Sequence, residues 1–290
     1  MPVLSSAVGQ VFGDRIVEIT PRMTMAYAVS IGATEDIYLD DAREGGIVAP
    51  PPFCVCLEWP LLFDERCRKL TGTSDDEAWG GLHVQQDTRF HRLIRPGDRV
   101  RTVARFTQIR STRAGALAVA KMLTNDASSG DAVATSFIHI LFKGLYVDGG
   151  DKSVDSSPAL KTHDEGTAGA HRETVFIPRT LPHAYTECSG IWNPIHTERR
   201  VALRKGSPDI IVHGTCTWAI AALHSLRYAG AGPERLKRFG ARFEAMVVPG
   251  HDIELGFTRL PGDEESHAVT VKNVQGAPAL ADGIAEYRAS

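Results

Sequence analysis

The chain has 290 residues with 43% apolar and 23% charged side chains, room for roughly two globular domains and too apolar for a disordered or collagen-like chain. A net charge of −3 and a pI near 6.4 leave no basic surplus for a run of phosphates, so nucleic acid is not an expected partner. Five scattered cysteines (Cys54, Cys56, Cys67, Cys188, Cys216) form neither a disulfide framework nor a zinc cage, which points to a reducing, cytoplasmic setting without a bound metal. The N-terminal residues show no charged-then-apolar leader, and no stretch approaches the roughly 18 apolar residues of a membrane span.

In chain order, the first long apolar run reads as a helix over residues 54 to about 70, with Pro60 inside to kink or split it. Strand-like runs follow at 100–109, 116–123 and 132–142, rich in Val, Thr and Phe and separated by turn residues. Residues 149–171 lack aromatic side chains and any period, and read as a linker between an N-terminal domain, 1–148, and a C-terminal domain, 172–290. Beyond it, Trp218, Ile220, Ala221, Leu223 and Leu226 predict one buried helix from about His213 to Tyr228, stopped by Gly230. Strand-like runs at 253–260, 267–274 and 279–287 complete the chain, while Arg235, Lys237 and Arg238 read as a solvated helix face.

The two halves repeat their landmarks. Tyr27 precedes Gly32 as Tyr185 precedes Gly190, and Arg89-Phe90 leads to Pro96-Gly97 at the spacing by which Arg242-Phe243 leads to Pro249-Gly250. The expectation is an α+β protein of two similar units, each an antiparallel sheet wrapped around a long helix.

The stretch from Tyr185 through Ser189-Gly190-Ile191-Trp192-Asn193-Pro194-Ile195-His196 resembles the hydratase motif of the MaoC-like dehydratases, also called R-specific or type 2 enoyl-CoA hydratases. Val212-His213-Gly214-Thr215 is similar to that family's turn into its central helix, and 49–53 (Ala-Pro-Pro-Pro-Phe) to the corresponding N-terminal turn. The resemblance implies a double hot-dog fold, an acyl-CoA or acyl-carrier thioester as substrate, no further cofactor, and an N-terminal half that is not catalytic and widens the cleft for the acyl chain. Aligned through Gly32, that half offers Ala33, Asp36 and Tyr38 at the motif's Asp, Pro and His positions. In the C-terminal motif Ile191 stands where the family has its catalytic Asp, which together with the motif His holds and activates water.

The chemistry needs an acid/base and a donor aimed at the thioester oxygen, on which enolate charge develops. His196 suits the first task near neutrality, and Gly214, opening the apolar helix, can present its N–H to the oxygen. Asn193 is the third candidate, to orient water or the imidazole; Tyr185, Ser189, Trp192, His213 and Thr215 are candidate substrate contacts. Each also has an ordinary structural reading: Ser189 as a helix cap, Asn193-Pro194 as a turn, Tyr185 and Trp192 as packing, His213 as a buried hydrogen-bonded side chain. With no Asp in the motif, either another carboxylate reaches the same point, with Glu187, Glu198, Glu35 and Asp36 as the candidates, or His196 works alone, or the chemistry differs from simple hydration. The expected function is an enoyl-CoA hydratase or 3-hydroxyacyl-CoA dehydratase. A double-bond isomerase and a non-catalytic acyl-CoA-binding subunit are the alternatives, and a homodimer or paired subunit is left open.

Overall fold

The computed structural model describes residues 2–160 and 171–289, so most of the expected linker's second half lies outside the described residues. Strands β1 (Val3–Leu4) and β2 (Val11–Glu18) lead into helices α1 (Pro21–Ser30) and α2 (Asp36–Leu39). Helices α3 (Val55–Leu62), α4 (Glu65–Thr71) and α5 (Asp75–Trp79) precede β3 (Leu82–Phe90), β4 (Arg99–Thr112), β5 (Gly115–Asp126), β6 (Ala132–Lys143), β7 (Val147–Asp148) and β8 (Lys152–Ser153). Then come β9 (His171–Ile177), α6 (Leu181–Ser189), α7 (Arg199–Arg204), α8 (Gly214–Ala229), β10 (Leu236–Phe243), β11 (His251–Leu260), β12 (Asp263–Lys272) and β13 (Pro278–Tyr287).

Two compact units result, the first made of Met1–Glu18, Cys56–Arg92 and Asp98–Ala159, the second of Ile19–Val55, Leu93–Gly97 and Leu160–Ser290. They differ from the contiguous halves 1–148 and 172–290. The reason lies in α1, whose Tyr27 is fully buried and packs its ring 6.0 Å from that of Tyr185 on α6. The helix therefore belongs with the C-terminal elements.

In the first unit the strands run β2-β4-β5-β6-β3, every neighbour antiparallel. Phe12, Leu61, Leu62, Phe106, Ile109, Met122 and Ile138 fill the space between sheet and helices. The expected long helix is two: α3 runs through Pro60 and ends at Leu62, and Asp64 starts α4 by accepting from the Arg66 N–H at 2.8 Å. Gly13 lets β2 run close under that helix, since a Cβ there would lie 2.9 Å from the Leu61 side chain. The linker's first residues are tied to this unit, with β8 paired to β4 and the Ser157 hydroxyl 2.9 Å from His139 Nε2.

The second unit repeats the order as β9-β11-β12-β13-β10, again antiparallel throughout. Its central helix α8 buries Cys216, Trp218, Ile220, Leu223 and Leu226 and ends at Gly230 in the left-handed conformation (φ 60°), as the sequence pattern predicts. Trp218 packs edge-on against Phe239 of β10, and the Tyr287 hydroxyl of β13 donates to the Ser225 carbonyl at 2.9 Å. The paired Pro-Gly landmarks do the same job: Gly97 N–H donates to Ile19 O at 2.8 Å and Gly250 N–H to Ile177 O at 2.7 Å, both glycines at φ 91°.

The basic run is corrected. Arg235 closes a short 3-10 turn and Lys237 and Arg238 lie on β10, which pairs with β13 through Leu236 opposite Tyr287 and Arg238 opposite Glu286. Arg235 pairs with Glu265 at 2.7 Å and Arg238 with Glu286 at 2.6 Å. Among the described residues no helix is long and apolar enough to cross a membrane.

Candidate active site

The site is assembled within the second unit from the end of α6, the loop after it, and the start of α8. Helix α6 ends at Gly190, whose left-handed backbone (φ 69°) turns the chain sharply into Ile191. Ser189 secures the turn by donating from its hydroxyl to Tyr185 O at 2.6 Å and accepting from the Ile191 N–H at 3.2 Å. Gly190→Ala, forcing a side chain into that left-handed position, is expected to cost about 1–2 kcal/mol of stability, measurable as a lower urea midpoint with the slope unchanged.

Asn193 caps the 3-10 turn Pro194–His196, its Oδ1 accepting from the Ile195 N–H at 3.2 Å. That turn delivers the His196 ring, whose Nδ1–H donates to the Ile211 carbonyl at 2.8 Å. A carbonyl only accepts, so the proton sits on Nδ1 and the lone pair on Nε2. Nε2 has no hydrogen-bond partner among the described residues.

The second imidazole lies on the first. His213 stacks on His196 with ring centroids 3.7 Å apart, and the Tyr185 ring is 5.0 Å from His213 on another side. His213 Nε2–H donates to the Ile191 carbonyl at 3.1 Å, with the Thr186 hydroxyl 3.2 Å from the same nitrogen. Its Nδ1 is buried and has no protein partner among the described residues. His213 also sits immediately before α8, whose first turn has no side-chain cap; among the described residues the Gly214 and Thr215 amides find no acceptor, and the buried Thr215 hydroxyl has no partner. Two bare imidazole nitrogens and an uncapped, partially positive helix start thus come together.

Burial sets the charge state. It pushes His196 down to about 4, against a smaller opposing effect of the Ile211 carbonyl, and holds His213 well below its ordinary value, with His196 pushing further in the same direction. Both rings are neutral at pH 7. In the first unit burial likewise depresses His83 to about 3 and His139 to about 4. Above pH 6.5 folded and unfolded chains hold these rings alike; below it only the unfolded chain takes up the protons, so these histidines make stability fall as the pH drops from about 6.5 towards 4. A series of thermal melts across that window is expected to show Tm decreasing steadily.

No carboxylate among the described residues is hydrogen-bonded to either ring. Glu187 and Glu198 are exposed, Asp36 opens α2 in solvent, and Glu35 accepts from Arg227 Nε at 2.7 Å and from the Thr34 N–H at 2.9 Å. Ile191 is buried, and its carbonyl, not its side chain, is what the site uses. Of the sequence candidates, the structure brings together Tyr185, His196, His213, Gly214 and Thr215. Ser189 and Asn193 hold the turns that carry them, and Trp192 is 48% exposed. Sequence reasoning missed the Ile211 and Ile191 carbonyls, which have no residue-type signal, and Thr186, whose place beside Tyr185 in the motif could have marked it.

The model of the MaoC-like domain matches residues 165–276, and that of the FAS1-like dehydratase domain region matches residues 6–136. Residues 165–276 thus carry a MaoC-like domain. The matched MaoC-like region contains α6, the motif loop and α8, the elements that build the site. Similar proteins include the 3-hydroxyacyl-thioester dehydratase Y of Mycobacterium tuberculosis, 26% identical over 99% of both chains. A probable enoyl-CoA hydratase 2 of Dictyostelium discoideum is 24% identical over 81% of this chain and 80% of the relative. Among solved structures, a MaoC-like dehydratase from Phytophthora capsici superposes with a TM-score of 0.84 at 18% identity over 98% of each chain, which places this chain in the double hot-dog fold.

Proposed function

We propose that the protein is a hydro-lyase that interconverts 2-enoyl and 3-hydroxyacyl thioesters of coenzyme A or a carrier protein, with His196 as acid/base. The observation that carries the reading is the tautomer of His196: with Nδ1–H fixed on Ile211 O, its Nε2 has no partner among the described residues, and the ring stacks 3.7 Å from that of His213, the residue before Gly214.

In hydration, His196 Nε2 takes a proton from water while the water oxygen bonds to the β-carbon. The double-bond electrons move toward the thioester oxygen, where Gly214 N–H and the α8 start stabilise the enolate charge. The imidazolium then returns the proton to the α-carbon, so H and OH are added in net and the enzyme is unchanged; dehydration is the reverse. Asn193 and Ser189 act through the turns they hold. Tyr185, His213 and Thr215 are assigned to the wall around the thioester, and Trp192 to the outer arm of the substrate. No cofactor is needed for these steps.

Ile191 favours a second reading, since no carboxylate among the described residues pairs with His196: double-bond isomerisation needs one base and no water, and a subunit that only binds acyl-CoA needs neither. Short, long, branched and dicarboxylic enoyl-CoA thioesters, followed by loss of the conjugated enoyl absorbance, test the assignment. Loss in at least one member supports the hydro-lyase; exchange of carbon-bound hydrogen with solvent without hydroxyacyl product would replace it with an isomerase, and tight binding with neither would leave a binder.

A further inference from the structure

The buried nitrogen that the reaction above leaves unused is His213 Nδ1. His213 is 2% exposed, and its Nε2–H is fixed by the Ile191 carbonyl, which obliges Nδ1 to be the lone-pair side. Buried polar atoms in folded proteins are nearly always satisfied, and one without a protein partner is a place where a water or ligand donor is held. Here it belongs to a ring stacked 3.7 Å from the proposed base, and the base also presents a bare nitrogen. Two neutral, face-to-face imidazoles with one lone pair each offer two acceptors close together, and a water has two hydrogens to donate.

We propose that His213 is a further catalytic residue, the second acceptor for the attacking water: one water hydrogen is held by His196 Nε2 and the other by His213 Nδ1. The inference rests on the hydro-lyase reading and deepens it. It accounts for a site whose motif position 191 is an isoleucine, because the acceptor a carboxylate would provide comes from the neighbouring ring, and it gives the Ile191 main chain a purpose: its carbonyl fixes the tautomer that leaves Nδ1 bare. During hydration the hydrogen on His196 is the one transferred; the hydrogen on His213 stays with the oxygen and becomes the product hydroxyl hydrogen. His213 keeps its own proton throughout, so no charge is created on the more buried ring. The arrangement orients the water oxygen's lone pair away from both imidazoles and toward the substrate carbon.

Two near-isosteres separate this role from a structural one. In His213→Gln the side-chain amide can still donate to the Ile191 carbonyl as Nε2–H does, while the Nδ1 acceptor is lost. In His213→Asn the side-chain oxygen can stand near the Nδ1 position, while the Ile191 bond is lost. With enoyl-CoA as the probe, the expected result is that Gln lowers kcat at least tenfold with KM and Tm close to wild type, Asn keeps more kcat than Gln, and Ile191→Asp added to the Gln variant recovers turnover. A Gln variant with wild-type kcat would overturn the proposal while leaving the hydro-lyase reading intact; a wild-type protein inactive on every thioester would overturn the reading itself. Independently of turnover and of how the variants fold, imidazole 15N NMR of the wild-type protein is expected to show His213 as the Nε2–H tautomer, and an Nδ1–H tautomer would overturn the proposal.

Discussion

His196→Ala is expected to lower kcat for enoyl thioester hydration by roughly 10²–10⁴-fold, the range for removal of a positioned general acid/base, while the protein stays folded. The ring is half-buried on a surface turn held independently by the Asn193 cap and by the Thr197 and Glu198 amides donating to Pro194 O, so the turn survives the truncation. The wild-type pH profile carries the same assignment. The base form is the neutral ring, and burial holds His196 at about 4. The kcat/KM of the free enzyme should therefore be level near neutrality and decline as the pH falls through about 4. A limb at the ordinary histidine value, near 6.5, would mean that the titrating base is a solvated ring and not this one. Stopped assays from pH 3.5 to 8, with folding monitored at each point, separate this limb from the acid loss of stability.

Gly214→Pro is expected to lower kcat by about 10²–10³-fold, the usual consequence of deleting one oxyanion donor. Proline suits the test because Gly214 is the first residue of α8, where proline is well tolerated and its missing N–H breaks no helical bond. The preceding residue, His213, already has φ −57° and ψ 135°, an extended conformation compatible with a following proline. The helix should form as before, with the donor alone removed. Substrate binding should be much less affected than turnover, because the charge on the thioester oxygen develops in the transition state. Equal losses in KM and none in kcat would move Gly214 from the reacting oxygen to simple contact.

Much of this fold is legible in the sequence because its signals are local. The apolar run ended by Gly230 marks α8, the break expected in the first helix comes three residues after Pro60, at Phe63–Asp64, and the two Pro-Gly turns mark the repeat. The assignment of α1 to the second unit is not local: it depends on Tyr27 meeting Tyr185, residues far apart in the chain, and nothing in the composition of 19–55 states which sheet it will cover. The strand at 236–238 is not legible from its charges, because what fixes it is the pairing of Leu236 and Arg238 with Tyr287 and Glu286 of β13, far along the chain. At the site, the motif locates His196, Asn193 and Gly214, whereas the work of Asn193 and Ser189 is backbone capping, visible only once the turn geometry is known. The stack of His213 on His196 joins two segments separated by α7, and the main-chain carbonyls of Ile191 and Ile211 that set both tautomers have no side-chain signature at all.

Oxygen-isotope incorporation tests the central claim most directly. Purified protein is incubated with enoyl-CoA thioesters in 18O-labelled water beside the His196→Ala and Ile191→Asp variants, and the acyl products are read by mass. The account predicts 18O-labelled 3-hydroxyacyl-CoA from the wild type, lost with His196→Ala, so that hydration proceeds with isoleucine at position 191. No labelled product from the wild type, with labelled product appearing in Ile191→Asp, would contradict it and identify an intact scaffold that no longer hydrates.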